Sequence, residues 1–310
     1  MKKSFIALAV AAALPAAAFA QTNVQLYGIG DVGFTSENSA ANGGAGSDLV
    51  MHDGLQSGSR VGVQGSEDLG GGLSANFRFE MGLDVDDGDS EGKFFGRQAR
   101  VGLKGGFGEV RFGRQYTPIF YSSIGYDFSG FGWHNNHYGI AGSAGRLDNM
   151  LEYRNKFGGV SLIAAYAPGE RSGALNPDDV IGLGVNYKGG SWGIGGGYHD
   201  EGTQTIMHIG GKVQLGAFGV GLNYGASDVD GGGDRTDIDL SLGLKIGASG
   251  NMVFNLLNKE IDGGNDSMEI GLSYGHAMSK RTNWYASLGL DRIDNADDPQ
   301  FISVGIRHKF

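Results

Sequence analysis

Cysteine is absent from the 310 residues, so no disulfide closes the fold, and backbone pairing and packing must do so alone. Beyond residue 20 no segment reaches the 18 or more consecutive apolar residues that a transmembrane helix requires. Helical apolar spacing is sustained almost nowhere. A basic balance is missing as well. The formal net charge is −10, and −12 once Lys2 and Lys3 are set aside, which argues against nucleic-acid binding. The 59 glycines carry no G-X-Y period, so collagen is excluded. Aromatic and β-branched residues are interleaved among them, so they form no low-complexity tract either.

The chain opens Met1-Lys2-Lys3, followed by "SFIALAVAAALPAAAFA". Two positive charges, an apolar run and Ala18-Phe19-Ala20 before Gln21 predict a secretory signal peptide over 1–20, cleaved after Ala20. A membrane anchor would need a longer run without Pro15. Residues 21–310 are then expected to form a single exported domain.

From Gln21 onward, period-two segments recur. "VQLYGIGDVGF", "SRVGVQGSE", "LSANFRFEM", "RQARVGLKG" and "GEVRFGRQ" are the first five, and "FISVGIRHKF" is the sixteenth. The connections between them alternate in kind. Tight turns such as "GGFG" (105–108), "FGG" (157–159) and "GASG" (247–250) exchange with long, acidic, Gly-rich loops such as 36–57, "DVDDGDSEG" (84–92) and "DVDGGGDR" (228–235). Short turns on one side and long polar loops on the other predict an all-β fold: a 16-stranded antiparallel transmembrane β-barrel.

The faces of the strands point the same way. Leu73, Ala75, Phe77, Phe79 and Met81 share one face, and Ser74, Asn76, Arg78 and Glu80 the other. Ile238, Leu240, Leu242, Leu244 and Ile246 likewise stand opposite Asp237, Asp239, Ser241 and Lys245. A soluble sandwich with this pattern needs partner faces and protected edges for some sixteen strands, whereas a barrel closes its edges and turns the apolar set toward lipid. Tyr27, Phe34, Phe107, Tyr153, Tyr166, Tyr187, Trp192, Trp284 and Tyr285 lie near strand ends, where interfacial girdles are expected. By the same parity Arg60, Arg78, Arg100 and Arg111 point inward, while Arg97 falls on the outward face of its strand. A bulge, or a place above the lipid belt, is needed to bring it in.

The stretches "VQLYGIGDVG", "GSRVGVQGSEDLGGGLSANFRFE" (58–80), "FFGRQARVGLKGGFGEVRFGRQYTP" (94–118), "AGRLDNMLEYRN" (144–155) and the terminal "RHKF" are similar to those of the trimeric general porins of Gram-negative bacteria, particularly the β-proteobacterial ones. The resemblance spans the chain from Gln21 onward. It implies an outer-membrane, water-filled pore for passive diffusion of small hydrophilic solutes and inorganic ions, with no enzymatic activity, metal or cofactor. Its implied partners are two further copies in a homotrimer, outer-membrane lipid and lipopolysaccharide, and the β-barrel assembly machinery, which reads a terminal Phe, here Phe310. Phe310 is equally placed to be a girdle aromatic. The resemblance also implies that the third loop, about 115–148, folds inward and narrows the pore. Arg60, Arg97 and Arg146 then occupy an arginine ladder on the wall, extended by Arg78, Arg100 and Arg111.

Opposite the ladder, Asp127 is the acid in the middle of that loop, with Asp148 at its end. So thin an acidic arm predicts mild anion preference, opposed at the mouth by the acidic loops, whose reach salt limits to about 8–10 Å. A solute-specific channel is the alternative, favoured by the aromatic third loop. A barrel enzyme is less supported, because His52, His134 and His137 have no recognisable Ser or Asp partner set. Other motifs lack their context. Gly28-Ile-Gly30-Asp31-Val32-Gly33 matches G-x-G-x-x-G but no helix follows, so its glycines would rather admit a neighbouring subunit. His134 and His137 have no third ligand nearby. "DVDDGDSEG" lacks the ligand order and terminal Glu of an EF-hand.

Overall fold

The structure, a computed structural model, describes residues 23–38, 48–129, 140–169, 179–296 and 298–310. The leader-like segment and the His134/His137 pair lie outside them. Strands β1 (Asn23–Asn38), β2 (Asp48–Asp53), β3 (Arg60–Gly70), β4 (Leu73–Gly82), β5 (Gln98–Gly105) and β6 (Gly108–Tyr116) lead into a short helix, α1 (Pro118–Ser123). After it come β7 (Arg146–Phe157), β8 (Val160–Ala167), β9 (Val180–Lys188), β10 (Trp192–Asp200), β11 (Gln204–Leu215) and β12 (Phe218–Val229). The last five are β13 (Arg235–Ile246), β14 (Gly250–Ile261), β15 (Ser267–Ala277), β16 (Thr282–Ile293) and β17 (Gln300–Lys309).

All pairings are antiparallel between neighbours, and β17 pairs back onto β1 from Ile29↔Lys309 to Asn38↔Gln300. Strands β2 and β3 run in the same direction and pair in succession with β1, so together they make one stave, and the closed barrel has sixteen. The short β2 departs from the sequence reading, which leaves 36–57 as loop. "DLVMHD" has no alternation to mark it as a strand, and its pairing comes from the extension of β1 to Asn38. At the seam, Gly28 and Phe310 exchange backbone hydrogen bonds of 3.2 and 3.1 Å. Closure leaves no edge strand, so every stave finds its backbone partners within the sheet.

Tight turns gather at one end of the barrel. Gly158 and Gly216 sit in them with φ of 60° and 62°, the left-handed region that a residue with a Cβ adopts only with strain. The long loops gather at the other end. Between the two ends the usual arrangement of a folded protein is inverted. On β13, Asp237, Asp239 and Ser241 are buried on the enclosed face, while Ile238, Leu244 and Ile246 are exposed on the outside. On β9 the exposed set is Ile181, Leu183 and Val185. Such a surface is stable only against hydrocarbon.

The outer aromatics Phe34, Phe107, Tyr166, Tyr187, Trp192 and Trp284 are exposed, as the girdle reading expects. Tyr27 and Tyr285 are corrections to it. The Tyr285 hydroxyl donates to Asp31 at 2.5 Å, with the residue 0% exposed, and the Tyr27 hydroxyl donates to Glu80 at 2.7 Å. Both rings lie over glycines of the adjoining strand, Gly305 and Gly62, where a side chain would collide with them. The glycines of the G-x-G-x-x-G stretch do not share one role. Gly28 is covered by the ring of Phe310 of the same chain, whereas Gly30 faces open space.

Candidate functional site

Three arginines stand at the loop ends of alternate staves, β3, β5 and β7. Arg60 is the first residue of β3. Its Nε donates to the Gly58 carbonyl and its Nη2 to Ser57 Oγ, each at 2.9 Å. Arg97 precedes β5, and its backbone N–H bonds to the Glu80 carbonyl at 3.2 Å. Lying just outside the pleat frees it from the parity of Ala99, Val101 and Leu103, and its side chain turns to the enclosed face, with the residue 3% exposed. There Nε donates to Glu80 at 3.1 Å, Nη1 to Glu91 at 3.4 Å and Nη2 to the Tyr116 hydroxyl at 3.4 Å. Arg146 opens β7, with its guanidinium 4.2 Å from the centre of the Tyr116 ring. The flat contact combines cation–π attraction with a hydrogen bond to the hydroxyl of the same ring.

Closer to the turns is a second tier. Arg78 donates twice to Gln64 Oε1, at 3.1 and 2.5 Å. Arg100, nearly buried, donates to Asn76 at 2.9 Å. Arg111 holds both oxygens of Glu109 at 2.8 Å. Arg154, which the sequence reading does not single out, forms a two-pronged pair with Glu152 and lies 3.9 Å over the ring of Tyr121. It shares the parity of Met150 and Glu152 in "NMLEYRNKF", and that signal could have found it.

The segment after β6 packs on the enclosed face of β9–β13. Thr117 starts α1 by accepting from Phe120 N, and Pro118 fixes the first turn. Pro118 lies on Gly182 and Gly184, Ile119 and Ser122 on Gly197, the Tyr126 carbonyl on Gly221, and the Phe128 ring on Gly219 and Gly243. Any side chain at these glycines would occupy the segment's own space. With Gly210 of β11 against the Tyr126 ring, glycine on five adjacent strands makes a smooth shelf, a purpose for the high glycine content that alternation alone does not reveal.

Hydrogen bonds fasten the segment at both ends. The Tyr126 hydroxyl donates to Asn186 at 2.9 Å, Phe128 N to Ser241 Oγ at 2.7 Å, and Ala141 N to Asp237 at 2.8 Å. Burial pushes the Tyr126 phenol up to about 12, so it stays a donor throughout the neutral range. Asp127 accepts from Asn255 at 2.9 Å and from Ser129 N at 2.8 Å. Its carboxylate thus bonds to the wall and to its own turn. Asp148 is held by Lys93 and Arg114 at 2.5 and 2.9 Å.

At the loop-side mouth, Asp53, Asp84 and Glu91 bring one carboxylate oxygen each within 4.8 Å of one another. Lost hydration, then repulsion from Asp53, Asp87, Glu91 and Asp86, push Asp84 above the usual carboxylate range. Elsewhere on the rim, Asp179 is held below that range by the Gly169 N–H and the Tyr166 hydroxyl.

Comparison with known proteins gives this geometry a family. A family model described as Gram-negative porin matches residues 7–296. Outer membrane porin protein 32 of Delftia acidovorans is 38% identical over 203 residues, 61% of this chain and 57% of that protein. The chain spans about half the length of the first curated relatives it matches. The anion-selective porin from Comamonas acidovorans superposes with a TM-score of 0.82 at 27% identity, over 94% of this chain and 100% of that one. A trimer form of OmpT from Vibrio cholerae, 17% identical with a TM-score of 0.71 over 93% of this chain and 99% of that one, shares the fold. The chain belongs to the Gram-negative porin family, β-barrels of the outer membrane.

Proposed function

We propose that this barrel is a water-filled channel through which small hydrophilic solutes and inorganic ions diffuse passively, with preference for anions. The observation that carries this reading is the charge on one wall. Arg60, Arg97, Arg146, Arg78, Arg100, Arg111 and Arg154 stand there with Glu80, Glu91, Glu109 and Glu152 as their acidic neighbours. A low-dielectric wall focuses such an excess into the aqueous gap it borders. The anion selectivity stated for the Comamonas porin supports the same sign.

Residues of about 115–148 form the constriction in this reading, folded onto the glycine shelf and narrowing the lumen opposite the arginines. Residues 1–20 are a leader, 21–310 one domain, and Phe310 the signal read by the assembly machinery. The working unit is a homotrimer set among lipid and lipopolysaccharide. Family and fold point to a channel rather than an enzyme.

The test is insertion of the refolded mature protein into a planar bilayer. Stepwise openings in groups of three are expected, together with swelling of proteoliposomes in small sugars. A folded barrel that passes neither ions nor sugars would remove the channel reading.

A further inference from the structure

Four staves that run toward the turns, each separated from the next by one strand, carry a lysine at or near their turn end: Lys104 on β5, Lys156 on β7, Lys188 on β9 and Lys212 on β11. Each has the parity of the enclosed face. Lys104 shares it with Arg100, Lys156 with Glu152, Lys188 with Gly184, and Lys212 with His208. All four line one cavity of about 890 Å³ beneath the segment that follows β6.

The arginines of this cavity are already committed: Arg111 to Glu109 and Arg154 to Glu152. The four lysine ammonium groups make no hydrogen bond or ion pair among the described residues. Glu109 is the one acid among the described residues lining the cavity. The roof is aromatic, from Tyr121, Tyr126 and Phe128, with Lys212 Nζ 5.7 Å from the centre of the Phe128 ring. The volume falls within the roughly 300–1,000 Å³ of cavities that take small organic molecules. Several unpaired positive charges converging under an apolar roof favour a ligand with more than one negative charge and some carbon surface. A single monovalent ion meets only part of that field. Lysine is a flexible point charge, so this set suits carboxylate and phosphate alike, unlike the planar fork of arginine.

We infer that the cavity framed by Lys104, Lys156, Lys188 and Lys212 is a binding subsite for small organic anions bearing two or more carboxylate or phosphate groups, lying between the constriction and the turn-side mouth. As a step on a permeation path the subsite rests on the channel reading; as a binding site it does not.

Two measurements on the full mature chain separate those possibilities. In a planar bilayer in KCl, citrate added on the turn side should lower the chloride current saturably, while acetate at equal concentration should not. The K188Q/K212Q variant should need about tenfold more citrate for half block. Fructose 1,6-bisphosphate in place of citrate distinguishes phosphate from carboxylate, and saturable block by either upholds the subsite. Calorimetric titration of citrate into the detergent-solubilised barrel needs no conduction. Saturable heat, weakened in K188Q/K212Q, is expected there even if the channel reading fails. Both substitutions fall on a solvent-exposed rim, and heat-dependent gel mobility checks that the variant is folded. An anion-preferring current that neither polyanion blocks, or binding equal in wild type and variant, would overturn the subsite and leave the channel standing.

Discussion

The guanidinium of Arg146 lies 4.2 Å from the centre of the Tyr116 ring and donates to that ring's own hydroxyl at 2.5 Å. Arg97 reaches the same hydroxyl at 3.4 Å, and Phe120 stacks on Tyr116 at 4.2 Å. Tyr116, the last residue of β6, therefore ties two arginines of the loop-end tier to the foot of the segment that follows it.

Tyr116→Phe keeps the stack and removes the acceptor. It removes the acceptor of two arginine hydrogen bonds and should lower stability by about 2–3 kcal/mol. The anion-to-cation permeability ratio should fall while the unit conductance stays close to wild type. An unchanged ratio in bi-ionic measurements would show that the hydroxyl does not position the arginines.

Glu80 is the carboxylate that Arg97 and Tyr27 share. Glu80→Ala takes the buried carboxylate from the enclosed Arg97 charge, whose ion pair with Glu91 is half-exposed, and is expected to destabilise the barrel by about 3 kcal/mol. Urea unfolding followed by tryptophan fluorescence reads this. Glu80→Gln, whose one carbonyl oxygen still accepts from Arg97 while its NH2 donates to the Tyr27 oxygen, should lose less.

The glycine shelf makes a contrast between two positions that look alike in sequence. A Cβ at Gly221 would land on the Tyr126 carbonyl, whereas one at Gly190 meets nothing within 4 Å. Gly221→Ala should lift the segment and change the single-channel conductance, and Gly190→Ala should leave it as it was.

The loop-side mouth should respond to mild acidification. Asp84 is pushed upward, so on acidification it takes up its proton ahead of ordinary carboxylates, and the mouth loses negative charge while arginine and lysine keep theirs. Acidifying only the loop side should therefore move the reversal potential further toward the anion limit. Asp84→Asn should shift the neutral-pH value in the same direction and flatten this response.

Phe310 stands 51% exposed with its ring over Gly28. Gly28→Val fills that seat and should slow barrel closure, seen as a larger unfolded fraction on heat-modifiable gels during refolding. Equal refolding rates would count against a role for the ring at the seam.

The staves were legible because period two with an apolar outer face is written into nearly every strand, and the inward parity of Arg78, Arg100 and Arg111 followed from it. Parity failed at Arg97, because that residue lies one position ahead of its strand and its direction depends on where the pleat begins. The girdle reading failed at Tyr27 and Tyr285 because it rests on nearness to a strand end: such an aromatic reads the same whether it faces lipid or reaches across a glycine to a buried acid. Asp127 could be found as the acid of the long loop, but its bond to Asn255 joins positions far apart in the chain and leaves no local trace. The shelf is invisible for a related reason. A glycine has no side chain to mark a face, so its role emerges only when a second segment is laid against it.

On the proposed reading, the fixed charge of the arginine wall makes the pore prefer anions. The most direct test is the reversal potential of the wild-type channel across a KCl gradient in a planar bilayer. A potential on the chloride side of zero is expected, reduced toward zero in R60Q/R97Q/R146Q. A potential on the potassium side in the wild-type channel would contradict it, and would assign selectivity to the acidic mouth instead.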